Sequence, residues 1–231
     1  MNSRIVAIVP MRHHSERVPG KNFRPCARRP LYHHIIETLL ACPYIDRVAI
    51  DTDSEFIMDD ARKNFPQVQL IERPHHLREG TISMNDVLLH SVTQAIGSYY
   101  LQTHSTNPLL RTETISRAIQ LFLDGFPAYD SLFSVTRLQV RLWDHRTRPI
   151  NHDPEILART QDLLPVYEEN SSLYIFPRNI IETRRNRIGE RPMMMEIDRM
   201  EAFDIDEEFD FRVAEFFLLE RNKKNFTRLK E

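Results

Sequence analysis

Residues 5–22 read IVAIVPMRHHSERVPGKN. The β-branched run Ile5–Val9 is a strand candidate, and Leu31–Leu40 beyond it has apolar residues at helical spacing. Between them lies a loop carrying Arg12, Arg17 and Lys21 and one Gly20-Lys21 pair. A strand emptying into a cationic loop ahead of a helix points to phosphate. The loop is not a Walker A sequence and is poor in glycine, so the anion site must be of another kind. Arg12 can neutralise a polyphosphate through forked hydrogen bonds and Lys21 as a point charge. Gly20 would let the backbone approach a ligand without a Cβ in the way. On the loop alone, a solvated stretch with ordinary surface cations fits equally well.

The alternation continues outward. Arg47–Asp51 reads as a strand, followed by a helix through Phe56, Ile57 and Ala61, and then by a short strand at Val68–Ile71. Asn85–Ile96 is helical by pattern, with Val87, Leu88, Val92, Ala95 and Ile96 on one face. Tyr99–Gln102 is a strand, Glu113–Leu123 a helix and Ser131–Thr136 a strand. Strands alternating with helices imply an α/β domain with a mostly parallel sheet and helices on both faces. From about residue 137 to 200 the rhythm breaks at Pro149, Pro154, Pro165, Pro177 and Pro192, with spaced strand signals at Leu173–Phe176 and Met193–Ile197. This stretch reads as an inserted lobe suited to covering a substrate or to dimer contact. Glu208–Glu220 then forms an amphipathic helix, so residues 1–231 make one domain with an excursion.

The 231 residues carry 31 Lys and Arg against 33 Asp and Glu, a net charge of -2 that gives no general case for binding nucleic acid or an anionic membrane. Any anion site is therefore local. The two cysteines, Cys26 and Cys42, have no metal spacing and are too few for a disulfide scaffold, which points to reduced thiols in the cytoplasm. Ile5–Val9 is too short for a signal-peptide core, and no apolar stretch approaches the roughly 18 residues of a membrane helix.

In open α/β sheets ligands sit beyond the carboxyl ends of the strands. Asp51-Thr52-Asp53-Ser54 follows one strand, where helix capping is the commoner use. His104-Ser105-Thr106-Asn107-Pro108-Leu109-Leu110-Arg111 follows another, as a polar ligand-binding turn or a cap for the next helix. In Phe203-Asp204-Ile205-Asp206, strand alternation would put Asp204 and Asp206 on one face, where a divalent cation would relieve their repulsion. Glu207, Glu208 and Asp210 suit a first helical turn. The pairs His13-His14, His33-His34 and His75-His76 lack the spacing of a zinc site. Met193–Met195 and Trp143 read as packing, and Ser15 has no assignable triad partners. A basic loop and an acidic pair at strand ends suggest metal-assisted nucleotidyl transfer.

Together the motifs resemble the acylneuraminate cytidylyltransferase family, which is related to the Kdo cytidylyltransferases. Arg12, Ser15, Glu16, Pro19, Lys21 and Asn22 look like its R-x-x-S-K-x-x-P-x-K-N, and Asp51–Ser54 its S-T-D-S. Arg73-Pro74 with Leu77 resembles R-P-x-x-L, and His104–Arg111 a variant of Q-P-T-S-P-L-R. Arg159–Asp162, Asn170 and Leu173–Ile175 resemble R-x-Q-D…N-G-x-x-Y-I, and Asp204-Ile205-Asp206 matches D-I-D. The resemblance implies a Rossmann-like three-layer α/β/α domain with a dimerisation lobe, working as a homodimer. It implies transfer of CMP from CTP to the anomeric hydroxyl of a 2-keto sugar acid, with release of pyrophosphate. On that basis Arg12, Ser15, Arg17, Lys21, Asn22 and Arg73 are expected at the nucleotide, and Arg12, Lys21 and Asp206 in catalysis. Mg²⁺ is expected on Asp204 and Asp206, and His104, Thr106, Gln161, Asn170 and Tyr174 at the sugar. Three positions depart from the pattern: Glu16 for Lys, His104 for Gln and Ser171 for Gly. Two other readings follow from them, a nucleotide-binding homologue without catalysis and a nucleotidyltransferase for a different sugar.

Overall fold

The computed structural model describes residues 4–228. Its strands are β1 (Ile5–Met11), the two-residue pair β2 (Pro25–Cys26) and β3 (Arg29–Pro30), β4 (Arg47–Thr52), β5 (Gln69–Glu72), β6 (Tyr99–Thr103), β7 (Ser131–Leu138), β8 (Val166–Pro177) and β9 (Pro192–Glu196). Its α-helices are α1 (Leu31–Leu40), α2 (Glu55–Asn64), α3 (Met84–Gln94), α4 (Thr112–Gly125), α5 (Arg178–Arg184) and α6 (Glu208–Arg228).

Alternation along β1 builds both layers of the core. Ile5, Ala7, Val9 and Met11 meet Ile35, Ile36 and Leu39 of α1 and Ile115, Ile119 and Phe122 of α4. Val6 and Ile8 point the other way, to Leu88 and Val92 of α3 and Ile180 and Ile181 of α5. The sheet order is β5-β4-β1-β6-β8-β7-β9. β1 pairs in parallel with β4 and β6, β4 with β5, and β7 with β9, while β8 is antiparallel to both its neighbours. The mostly parallel three-layer sheet expected from the sequence is therefore present. The chain runs from β1 out to β5 and returns on the other side of β1 at β6, so the crevice beyond these two strands is a topological switch point.

Three expectations need adjustment. The stretch 137–200 does not lie wholly outside the sheet, because β8 sits between β6 and β7 and β9 forms an edge. What leaves it is 139–165, with one bridge between Trp143 and Pro149 and a 3-10 turn at Thr160–Asp162. The helix expected through Ile96 ends at Gln94, where Ala95 is extended, and Ile96 is 68% exposed. Residues 203–206 form no strand; their backbone is tied instead by Ile205 N–H donating to Thr106 C=O at 3.0 Å.

α6 closes the side of the crevice. Phe211, Ala214 and Leu218 pack with Val18 from the loop after β1, Leu109 from the loop after β6, and Ile205. Beneath this layer His34 is 2% exposed; its Nε2 donates to Cys26 C=O at 2.9 Å while Nδ1 accepts from Arg29 Nε at 3.3 Å. Burial pushes its pKa down to about 4 from 6.5. Between those values the unfolded chain takes up about one proton that the folded chain refuses, so stability falls as pH falls through the window. Urea unfolding at about pH 6.5 and about pH 4.5 should therefore show a larger loss for wild type than for His34→Gln. Equal losses would remove His34 from the account.

Candidate active site

The loop after β1 is shaped by contacts to its own residues. Gly20 has φ +65°, and its carbonyl accepts from the N–H groups of Phe23 at 3.1 Å and Arg24 at 2.9 Å. A Cβ there would lie 2.9 Å from the Phe23 ring. Gly20 thus makes a tight turn and lies outside the cleft lining; it does not bring backbone to a ligand as the sequence suggested. Asn22 is the staple. Its Nδ2 donates to Arg12 C=O at 2.8 Å, and its Oδ1 accepts from Ser105 Oγ at 2.7 Å, joining the loops on both sides of the switch point. His13 N–H donates to Asp53 Oδ1 at 2.7 Å, and Ser54 caps α2 by accepting from Ile57 N–H.

These ties leave a cleft of about 470 Å³ at the switch point. Arg12, Ser15, Arg17, Lys21 and Asn22 line it from the first loop, Arg73 from the end of β5, and His104 and Thr106 from the end of β6. Glu16 lines it as well. The loop after Leu77 forms its outer wall: a Cβ on Gly80 would stand 3.0 Å from Arg12 Nη1 and 3.6 Å from Glu16 Oε1.

Eight expected residues thus share one cleft, and five do not line it: Gln161, Asn170, Tyr174, Asp204 and Asp206. Gln161 is exposed on the 3-10 turn of the excursion. Asn170 is committed to β7, its Oδ1 accepting from Ser134 Oγ at 2.5 Å and its Nδ2 donating to Thr136 Oγ1 at 3.0 Å. Tyr174 is fully buried; its hydroxyl donates to Glu169 and accepts from Ser171 Oγ at 3.1 Å. Ser171 has φ +57°, the left-handed region in which glycine carries no Cβ penalty. This explains why Gly suits the motif there.

Asp204 and Asp206 flank the cationic side. Arg17 Nη2 donates to Asp206 Oδ1 at 2.6 Å, and Lys21 Nζ donates to the Ile205 carbonyl between the two carboxylates. Burial lowers the Lys21 pKa, opposed by Asp204 and Asp206. Burial also raises the Asp204 carboxyl; the Thr106 hydroxyl and Lys21 lower it, and Asp206 adds to the rise. Asp204 Oδ1 is buried without a hydrogen-bond partner among the described residues. Further along, Asp210 Oδ2 accepts from the N–H groups of Asp206 and Glu207, and Glu208 pairs with Arg24 at 2.6 Å, which is the helix-start role expected for those acids.

The chain matches the family described as cytidylyltransferase over residues 6–226. It belongs to the cytidylyltransferase family. It is 27% identical to a CMP-N,N'-diacetyllegionaminic acid synthase of Legionella pneumophila, over 96% of this chain and 98% of that protein. It is 26% identical to N-acylneuraminate cytidylyltransferase A of Danio rerio, over 91% of this chain and 50% of that one. Its fold is similar to that of CMP:2-keto-3-deoxy-manno-octonic acid synthetase complexed with CTP, with a TM-score of 0.70, 14% identity and coverage of 95% of this chain and 100% of that one.

Two neighbours of the site were not among the expected site residues. Asp51, read as part of a capping motif, is fully buried and receives Arg73 Nε at 2.7 Å and Ser91 Oγ at 2.8 Å. Arg187, unmarked in the sequence, lies with its guanidinium 3.6 Å over the Tyr174 ring. Removing one partner of a buried ion pair strands the other charge. Asp51→Asn should therefore lower unfolding free energy by about 3–5 kcal/mol, measured by urea denaturation. A change within error would show that Arg73 does not need its partner.

Proposed function

We propose that this cytidylyltransferase transfers CMP from CTP to the anomeric hydroxyl of a 2-keto sugar acid, a sialic acid or related nonulosonate, and releases pyrophosphate. The observation that carries the proposal is that Arg12, Arg17 and Lys21 line one switch-point cleft while Asp206 accepts from Arg17 and Asp204 acts on Lys21 at its margin. The names of the Legionella and Danio relatives support the substrate class.

In the transfer, the hydroxyl oxygen loses its proton to solvent and forms a bond to the α-phosphorus as the bond to pyrophosphate breaks. Negative charge on the phosphoryl oxygens and the leaving group is neutralised by Arg12 and Lys21, placed before the reaction begins. Ser15 and Arg17 take further phosphate contacts, Arg17 being already oriented by Asp206. Asn22 holds the first loop in shape. Arg73 and the loop that follows it bound the nucleoside end. His104 and Thr106 face the sugar acid, while Asn170, Tyr174 and Gln161 stand outside the cleft lining.

Mg²⁺ belongs to the same proposal. Asp204 and Asp206 would hold it, and the unpartnered Asp204 Oδ1 fits a cation, as does a carboxylate pair completed by substrate phosphates. When bound, it supplies positive charge that polarises phosphoryl oxygens. The proposal extends to a cytoplasmic homodimer. The free, buried thiols of Cys26 and Cys42 support a reducing compartment. The exposed side chains of Ile150, Ile156, Leu157 and Leu164 on the excursion support a partner that covers them. Among the described residues no helix is long and apolar enough to cross a membrane.

Pyrophosphate release from CTP and Mg²⁺ over a panel of sialic, Kdo-like, legionaminic and pseudaminic acids tests the reading. Turnover is expected with at least one, and Asp206→Asn should reduce it at least ~10²-fold. CTP binding by calorimetry without turnover on any acid would favour the non-catalytic homologue, for which Glu16 in the cleft is the motive.

A further inference from the structure

We propose that Arg187 and Gln102 are positioning residues that fix His104 as its Nδ1–H tautomer, so that the cleft presents one hydrogen-bond donor at this point. The clause about the ligand rests on the function proposed above: the sugar-acid atom that meets His104 is an oxygen acceptor.

A guanidinium can only donate. Arg187 Nη1 donates to Gln102 Oε1 at 2.6 Å, which fixes which end of the Gln102 amide is oxygen. The amide nitrogen then points to Thr103 C=O at 3.3 Å and to His104 Nε2 at 2.9 Å. An amide NH₂ cannot accept, so His104 Nε2 must be the acceptor and carry no proton. A neutral imidazole with a bare Nε2 carries its proton on Nδ1. Gln102 is fully buried with every amide group used, so it has no alternative orientation of equal energy.

Arg187 is itself held. Its guanidinium stacks on Tyr174 at 3.6 Å, and its N–H donates to Asn85 Oδ1 at 3.2 Å. Burial, with the nearby charges of Arg187 and Lys21 adding to it, pushes the His104 pKa down to about 3. The imidazole is thus neutral across the working range and keeps the single tautomer. The glutamine of the family motif can turn either its oxygen or its nitrogen to a ligand; His104 offers only N–H.

The tautomer is read without substrate. In protein labelled with ¹⁵N-histidine, long-range ¹H–¹⁵N correlation at neutral pH should show His104, assigned by its loss in His104→Gln, with a protonated Nδ1 and a bare Nε2. Gln102→Glu, nearly isosteric, replaces the donor with a carboxylate and should move the His104 proton to Nε2. Arg187→Met should release the Gln102 amide and raise the KM for the sugar acid about tenfold, with CTP affinity by calorimetry unchanged. A protonated Nε2 in wild type, or a tautomer indifferent to Gln102→Glu, overturns the relay even if the enzyme turns over. The expected tautomer with no turnover on any sugar acid would leave the relay standing and sink the proposed function instead.

Discussion

A carboxylate without solvent is the constraint on which the nucleotide side of the molecule rests. Asp51 lies one residue before the end of β4, and burial there costs several kcal/mol unless its oxygens are satisfied. Arg73 from the end of β5 and Ser91 from α3 satisfy them, with His90 at 3.4 Å. Three elements are thereby held at fixed distances by one residue. The Arg73 guanidinium is oriented before any ligand arrives, and the loop from Pro74 to Ser83 begins from a fixed point. That loop brings Gly80 against Arg12, so the ion pair under the sheet also sets the width of the cleft above it.

The cleft itself is a balance of charge that the protein does not complete. Lys21 is partly buried and donates a hydrogen bond to a carbonyl, while the neighbouring Asp204 keeps an oxygen without a partner among the described residues. Arg17 and Asp206 form a pair in which both side chains stay about half exposed, so the pair is weak in water and easily exchanged for other partners. Such an arrangement is costly in isolation. In the reaction proposed above, polyphosphate and a cation would each answer one half of the imbalance.

Much of this was legible in the sequence. The runs Ile5–Val9, Val48–Ile50 and Tyr100–Leu101 are buried, and such strands announce themselves as short apolar runs. The loops at their ends carry the cations and hydroxyls in short segments, where local spacing is informative. The tertiary contacts were not legible. Ile96 continues a helical pattern, but the backbone turns extended at Ala95 to enter β6, and tertiary geometry overrides periodicity. Arg187 stands 85 residues from Gln102, and nothing local marks the pair. Gly20 looked like a ligand-side glycine because a sequence does not reveal that Phe23 folds back on it.

The position of β8 has a consequence for how the chain is made. It pairs with β6 and with β7, and it is the strand that joins the two halves of the sheet. A chain growing from its N-terminus builds β5-β4-β1-β6 first and then waits about 60 residues for the strand that covers the β6 edge. Until then β6 offers unpaired backbone groups to any neighbour, the hazard of an open sheet edge. The excursion 139–165 lies within that interval, so its length sets how long a nascent chain stays vulnerable to association. Shortening it would act on yield during synthesis before it acted on the folded enzyme.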